Sequence, residues 1–167
     1  IKKAVKILKN ENIKSPKLDS EILMSNVIKK DRYFTILNSK KIINKKNLYK
    51  FNELISQRST GKPIAHLIGK KDFWNFEFQI DKDVLIPRPD TELLVEEVLK
   101  IYKHKNKLQV LDIGIGSGCI LLSILREKKD FTGVGVDISG KCIDISKINA
   151  KKIGVTNRIR FFKSDVD

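Results

Sequence analysis

Over the first 60 positions, short apolar clusters recur at three- and four-residue spacing between polar breaks, the pattern of amphipathic helices. Ala4, Val5, Ile7 and Leu8 make one apolar face. Ser15 then supplies an N-cap and Pro16 a proline at the first helical position, and Leu18, Ile22, Leu23 and Ile28 follow at helical spacing. After a break at Lys29-Lys30-Asp31, Tyr33, Phe34, Ile36 and Leu37 read as a short helix. Leu48, Phe51, Leu54 and Ile55 read as a longer one that Gly61 can terminate. The stripes predict a small helical bundle with these residues in its core, and nothing in them carries obvious chemistry.

From Ile64 the period changes. Ile64–Ile68 and Phe73–Ile80 are rich in aromatic and β-branched residues, with Gly69-Lys70-Lys71-Asp72 between them, which predicts a β-hairpin turning at 69–72. Trp74 and His66 are read as packing residues. Next comes Val84-Leu85-Ile86-Pro87-Arg88-Pro89-Asp90-Thr91-Glu92. Its prolines hold the backbone around Arg88 extended, after which Asp90 or Thr91 can cap a helix. Acids fill the first turns of that helix, and Lys100, Lys103 and Lys105 its last, as the helix dipole favours. A long cationic side chain pinned beside a helix N-terminus suits an anionic or carbonyl group, which makes Arg88 a candidate substrate-binding residue.

The strongest pattern begins at Leu108. Leu108–Ile113 reads as a buried strand that runs into Gly114-Ile115-Gly116-Ser117-Gly118, and Cys119–Leu125 continues as a helix. Strand, glycine turn and helix let the backbone approach a ligand closely. A dinucleotide fingerprint wants G-x-G-x-x-G, whereas this loop reads D-x-G-x-G-x-G, with Asp112 two residues before the first glycine. An acid there is poorly placed beside a pyrophosphate and suits a ligand with a cationic end, such as the ammonium and sulfonium of S-adenosyl-L-methionine. A second strand, Thr132–Val136, ends at Asp137, 23 residues after Gly114, near the offset at which an acid accepts from ribose hydroxyls. Ser139 caps a predicted helix over 140–153. A third strand, Arg158–Phe162, ends at Ser164-Asp165, where an acid commonly lies near an adenine ring. The candidate cofactor-binding residues are therefore Asp112, Gly114, Ile115, Gly116, Ser117, Gly118, Asp137 and Asp165.

Composition narrows the picture. The 167 residues are 41% apolar, and no apolar run approaches the ~20 residues of a membrane-crossing helix. No signal-peptide core follows the basic N-terminus, so the expected compartment is the cytoplasm. Cys119 and Cys142 form no CxxC, and His66 and His104 are scattered, so neither a disulfide framework nor a metal site is indicated. The net charge of +14 is unevenly spread: residues 1–71 hold 18 basic and 5 acidic side chains, net +13, and residues 72–167 hold 16 and 15. Abundant Lys, Ile and Asn is what codon bias would produce, but that does not account for so few acids in the first part. A basic module meeting an acidic protein or a nucleic acid does. Most of the cations are lysines, which act as point charges and argue against base-specific readout.

Several segments together resemble the HemK/PrmC family: Gly61-Lys62-Pro63-Ile64-Ala65-His66, Asp72-Phe73-Trp74, Pro87-Arg88-Pro89-Asp90-Thr91-Glu92, Asp112-Ile113-Gly114-Ile115-Gly116-Ser117-Gly118, Val136-Asp137-Ile138-Ser139 and Asn149-Ala150. The resemblance implies an S-adenosyl-L-methionine-dependent enzyme that methylates the glutamine of the Gly-Gly-Gln motif in peptide chain release factors, with the helical domain helping to hold that protein. It also makes Val166 a further cofactor contact. Ile115, Cys119, Asn75 and Val166 depart from the family's common residues. The family's Asn-Pro-Pro-Tyr motif is absent, so no catalytic residue is assigned within the sequence, which reads as a fragment ending before that motif. The expected fold class is α/β: a helical substrate-docking domain over 1–62, a β-hairpin linker over 63–83, and over 84–167 the first half of a doubly wound, Rossmann-like class I methyltransferase domain. Three other readings share features of the sequence. An adenine-N6 methyltransferase acting on nucleic acid would use the basic charge, a ribosomal-protein glutamine methyltransferase shares the architecture, and a docking module without catalysis would need only the helices.

Overall fold

The computed structural model describes residues 1–165 and divides into two compact units, Ile1–Ile68 and Gly69–Asp167. The first is helical, with α1 (Lys2–Asn10), α2 (Pro16–Ile28), α3 (Arg32–Leu37), α4 (Lys45–Ser59) and α5 (Ile64–Ile68). Ala4, Leu8, Leu23, Met24, Phe51 and Ile55 form its core, and all but Met24 come from an apolar stripe seen in the sequence. Ile7, Leu18, Tyr33, Ile36, Leu37 and Leu48, expected in that core, are exposed instead, because each sits on the outer side of its helix. Pro16 opens α2 as expected, but the Ser15 side chain makes no capping bond. The caps that do form are Asp31, whose Oδ1 accepts from Phe34 N at 2.6 Å, and Asn44, whose Oδ1 accepts from Asn47 N at 2.8 Å. Two buried carboxylates on α2 are paired: Asp19 with Arg58 and Glu21 with Arg32, both at 2.8 Å.

Ile64–Ile68 is a helix, not the predicted first strand of a hairpin. Ile64, Leu67 and Ile68 stand at i, i+3 and i+4, and this spacing packs them on the helical core despite their β-rich composition. Pro63 accepts from Leu67 N at 3.2 Å at the start of the helix. The hairpin is therefore displaced along the chain. Strand β1 (Lys70–Phe73) pairs antiparallel with β2 (Phe76–Gln79), and the turn is Trp74-Asn75, with Trp74 in the left-handed region at φ +55°. Phe73 and Phe78 meet edge to face at 6.1 Å in the core of the second unit. Trp74 donates from N to Glu92 at 2.8 Å and from Nε1 to Glu127 at 2.9 Å, which fixes the turn to that unit.

After a 3-10 turn at Pro89–Thr91 the second unit continues with α6 (Glu92–Ile101), β3 (Gln109–Ile113), α7 (Cys119–Glu127), β4 (Thr132–Asp137), α8 (Gly140–Ile153) and β5 (Ile159–Lys163). The three strands form a parallel sheet in the order β3-β4-β5, with two right-sized helical crossovers between them. This is part of a Rossmann-like α/β fold. On one face Gly133 and Gly135 let α7 and the glycine loop close down on the sheet: a Cβ on Gly135 would stand 2.2 Å from Ile115 Cδ1. On the other face Leu111, Ile113 and Phe162 are 60%, 58% and 52% exposed. Both cysteines are free, and among the described residues no helix is long and apolar enough to cross a membrane and no side-chain cluster could hold a metal.

Candidate cofactor site at the carboxyl ends of the strands

The glycine loop leaves β3 at its carboxyl end and turns on three residues of positive φ, Gly114 (+78°), Gly116 (+55°) and Gly118 (+80°). Only glycine adopts this sequence of conformations without strain. The turn is anchored on β4. Gly114 N and Ile115 N both donate to Val136 O, at 2.8 and 2.9 Å, and Gly116 N donates to Asp137 Oδ2 at 2.9 Å. Gly118 then starts α7, with its own N–H bonded to Ile115 O at 2.8 Å.

Asp137 ends β4 beside the loop and is 9% exposed. Its Oδ1 accepts from Ser139 N at 2.9 Å while Oδ2 takes Gly116 N, so each oxygen keeps a lone pair for another donor. Ser139 in turn caps α8, accepting from Cys142 N at 3.4 Å. Asp112 lies on the same side of the sheet. Burial pushes its carboxyl above the ordinary aspartate value, the Leu121 N–H pulls it back, and the neighbouring charge of Asp137 adds a further upward push. Two largely buried carboxylates at the ends of neighbouring strands form an electronegative cluster beside the glycine loop. Burial also pushes the Cys119 thiol up, so it stays protonated and is not a nucleophile.

The structure brings Asp112, residues 114–118 and Asp137 into one cluster. Ser164 N donates to Asp137 O at 3.1 Å, which places the end of β5, and with it exposed Asp165, next to β4. Ile115 belongs to the loop through its backbone only, because its side chain is 4% exposed and packs in the core. Arg88 is exposed, its backbone extended between Pro87, which is buried, and Pro89, which is exposed, and no hydrogen bond ties it to the cluster among the described residues. Val166 lies outside the described residues.

Two residues that sequence reasoning did not assign to the site hold the loop from beneath. Ser146 Oγ donates to Gly116 O at 2.8 Å, and Asn149 Nδ2 donates to Ser117 O at 2.8 Å, both from the buried face of α8. Asn149 also grips the backbone of Gln79 on β2, accepting from its N at 2.7 Å and donating to its O at 2.9 Å. The available signal was two polar residues, three apart, on a face otherwise made of Cys142, Ile145, Ala150 and Ile153.

The cluster fits S-adenosyl-L-methionine on these observations: backbone amides and glycines that admit close approach, acceptor capacity left on Asp137, and the Asp112 carboxyl, whose ionised form a cationic group would favour. Residues 1–69 match the PrmC N-terminal domain and residues 89–167 the methyltransferase small domain. The chain is 40% identical over 165 residues to the release factor glutamine methyltransferase of Buchnera aphidicola subsp. Schizaphis graminum, covering 99% of this chain and 58% of that protein. It is 39% identical over 164 residues to the enzyme of the same name from Clostridium acetobutylicum, covering 98% and 58%. The chain thus spans a little under three fifths of the length of these relatives. A solved S-adenosyl-L-methionine-dependent methyltransferase from Geobacter sulfurreducens, in complex with S-adenosyl-L-homocysteine, aligns with 47% of this chain and 30% of its own at 27% identity and a TM-score of 0.40. The two domain matches stand in chain order, and both relatives align with nearly all of this chain.

Proposed function

We propose that these residues form the cofactor-binding and substrate-docking part of an S-adenosyl-L-methionine-dependent methyltransferase that modifies the glutamine side-chain amide of peptide chain release factors in the cytoplasm. The observation that carries the reading is the glycine loop bonded to Asp137 with Asp112 beside it, in a chain aligned almost end to end with enzymes of that name. Bound there, the cofactor supplies an electrophilic methyl group. Gly114 to Gly118 present backbone to it, Asp137 accepts from its hydroxyls, Asp112 faces its cationic end, Asp165 borders its base, and the resemblance makes Val166 a further contact. Arg88 lies on an exposed extended segment suited to a carbonyl or anionic group of the substrate. An amide nitrogen is a poor nucleophile, since its lone pair is delocalised, so the reaction depends on holding it about 3–3.5 Å from the methyl carbon in line for transfer. The Asn-Pro-Pro-Tyr motif to which the resemblance assigns the amide hydrogens is not in this sequence.

Calorimetry with S-adenosyl-L-methionine and methyl transfer to a release factor test the reading. The 167 residues alone are expected to bind the cofactor weakly and to transfer no methyl; turnover by them would refute the assignment of the amide-holding residues. Asp112 makes the binding pH-dependent. Its folded pKa is raised, so the neutral form persists above the ordinary value of 3.8. Affinity for a cationic ligand therefore falls as pH drops through that raised value. Asp112→Asn should weaken binding about tenfold at neutral pH and flatten the profile. An unchanged acid limb in this variant would remove Asp112 from the site.

A further inference from the structure

In the helical unit, α1, α2, α3, α4 and the segment 38–44 line a partly open cavity of about 930 Å³. Its interior is the apolar core, with Met24, Phe51 and Ile55 among its lining. Apolar side chains also stand open along its walls: Ile7 is 38% exposed, Leu48 45% and Ile42 95%. Open apolar surface of this kind marks an interaction site more often than idle surface.

The rim is positively charged by construction. Lys30 and Lys41 both line the cavity, and both place Nζ over the Phe34 ring, 5.8 and 5.6 Å from its centroid. One aromatic ring thus holds two ammoniums at the edge of an apolar recess, and Lys3 adds a third cation to the lining. No acid offsets them: none of the five acids of residues 1–68 lines the cavity. Asp19 and Glu21, both buried, are already paired with Arg58 and Arg32, and Asp31 caps α3. The remaining lining includes four asparagines at 38, 44, 47 and 52. An aliphatic tail would leave those amides without partners, whereas peptide backbone and polar side chains would satisfy them. The lining holds two rings, Phe34 and the buried Phe51, too few for the serial stacking that single-stranded nucleic acid uses.

We propose that this cavity receives an acidic amphipathic segment of the release factor, with apolar side chains in the recess and a carboxylate held between Lys30 and Lys41. The inference rests on the release-factor reading above. It is tested by titrating a labelled release factor into the full-length protein and into three variants. Lys30→Glu with Lys41→Glu removes the cationic clasp, and Ile42→Asp spoils the apolar wall. Lys2→Glu with Lys17→Glu makes the same charge change outside the cavity. All five positions are exposed, so thermal melting and cofactor affinity should not change. The two cavity variants should each weaken release-factor binding at least tenfold, and the control less than threefold. Cavity variants no weaker than the control would overturn the docking site and leave the release-factor reading standing. Failure of the unsubstituted protein to bind a release factor would remove that reading and this inference with it. A fluorescent fatty acid seated in the cavity, or a dimer dissolved by Ile42→Asp, with release-factor binding unaltered, would assign the cavity to another occupant and overturn the proposal.

Discussion

Asn149 is fully buried, and its side chain joins three backbone groups on two residues far apart in sequence, Gln79 and Ser117. Substituting alanine strands the Gln79 N–H and the carbonyls of Gln79 and Ser117 away from water, each costing on the order of 1 kcal/mol or more, so Asn149→Ala should destabilise the protein by about 3 kcal/mol. Because one of those carbonyls belongs to the glycine loop, cofactor affinity should fall as well, beyond what the unfolded fraction explains. Chemical denaturation and calorimetry on the same sample separate the two effects. Lost stability with intact affinity would limit Asn149 to holding the hairpin. Ser123 is the counter-case: its Oγ is buried without a partner, so Ser123→Ala should cost nothing and is expected to stabilise by up to about 1 kcal/mol.

The elements were legible where their signals were local. The stripe at 4–8, Pro16, the glycine loop and the helix over 140–153 follow from spacing and caps that a few neighbouring residues determine, and the structure places them there. Ile64–Ile68 misled because five residues carry both a β-rich composition and a one-turn helical spacing, and tertiary burial against the helical core decides between them. Once that segment is helical, the hairpin turn must move to Trp74-Asn75. Asn149 was beyond local reasoning for the same cause, since its partners lie 70 and 32 residues away. The sheet shows a further consequence of pattern. β3 and β5 carry apolar residues on both faces, as a parallel sheet covered on both sides requires, yet Leu111, Ile113 and Phe162 are open to solvent. The 167 residues on their own should therefore self-associate at high concentration. Sedimentation should show the association weakened by Ile113→Lys with Phe162→Lys; a monodisperse unsubstituted chain would show that this face is harmless.

At the scale of the molecule, charge and cofactor chemistry fall on different units. Residues 1–68 hold 16 basic and 5 acidic side chains, net +11, against 18 and 15, net +3, in the rest. Most of the lysines in the helical unit are exposed, so their attraction for an acidic partner acts through water and is screened beyond about 8–10 Å at physiological salt. The Asp112 and Asp137 carboxylates act at contact distance from a largely buried cluster, where added salt screens far less. The two affinities should therefore respond differently to ionic strength. Raising salt from 50 to 500 mM should weaken release-factor binding by about tenfold or more, chiefly through a slower association rate, and change cofactor affinity by less than about twofold. Stopped-flow association and calorimetry at matched salt would check this. Parallel losses in both would mean that the basic charge acts on the cofactor site as well, and equal insensitivity would mean that docking is driven by the apolar cavity and not by the lysines around it.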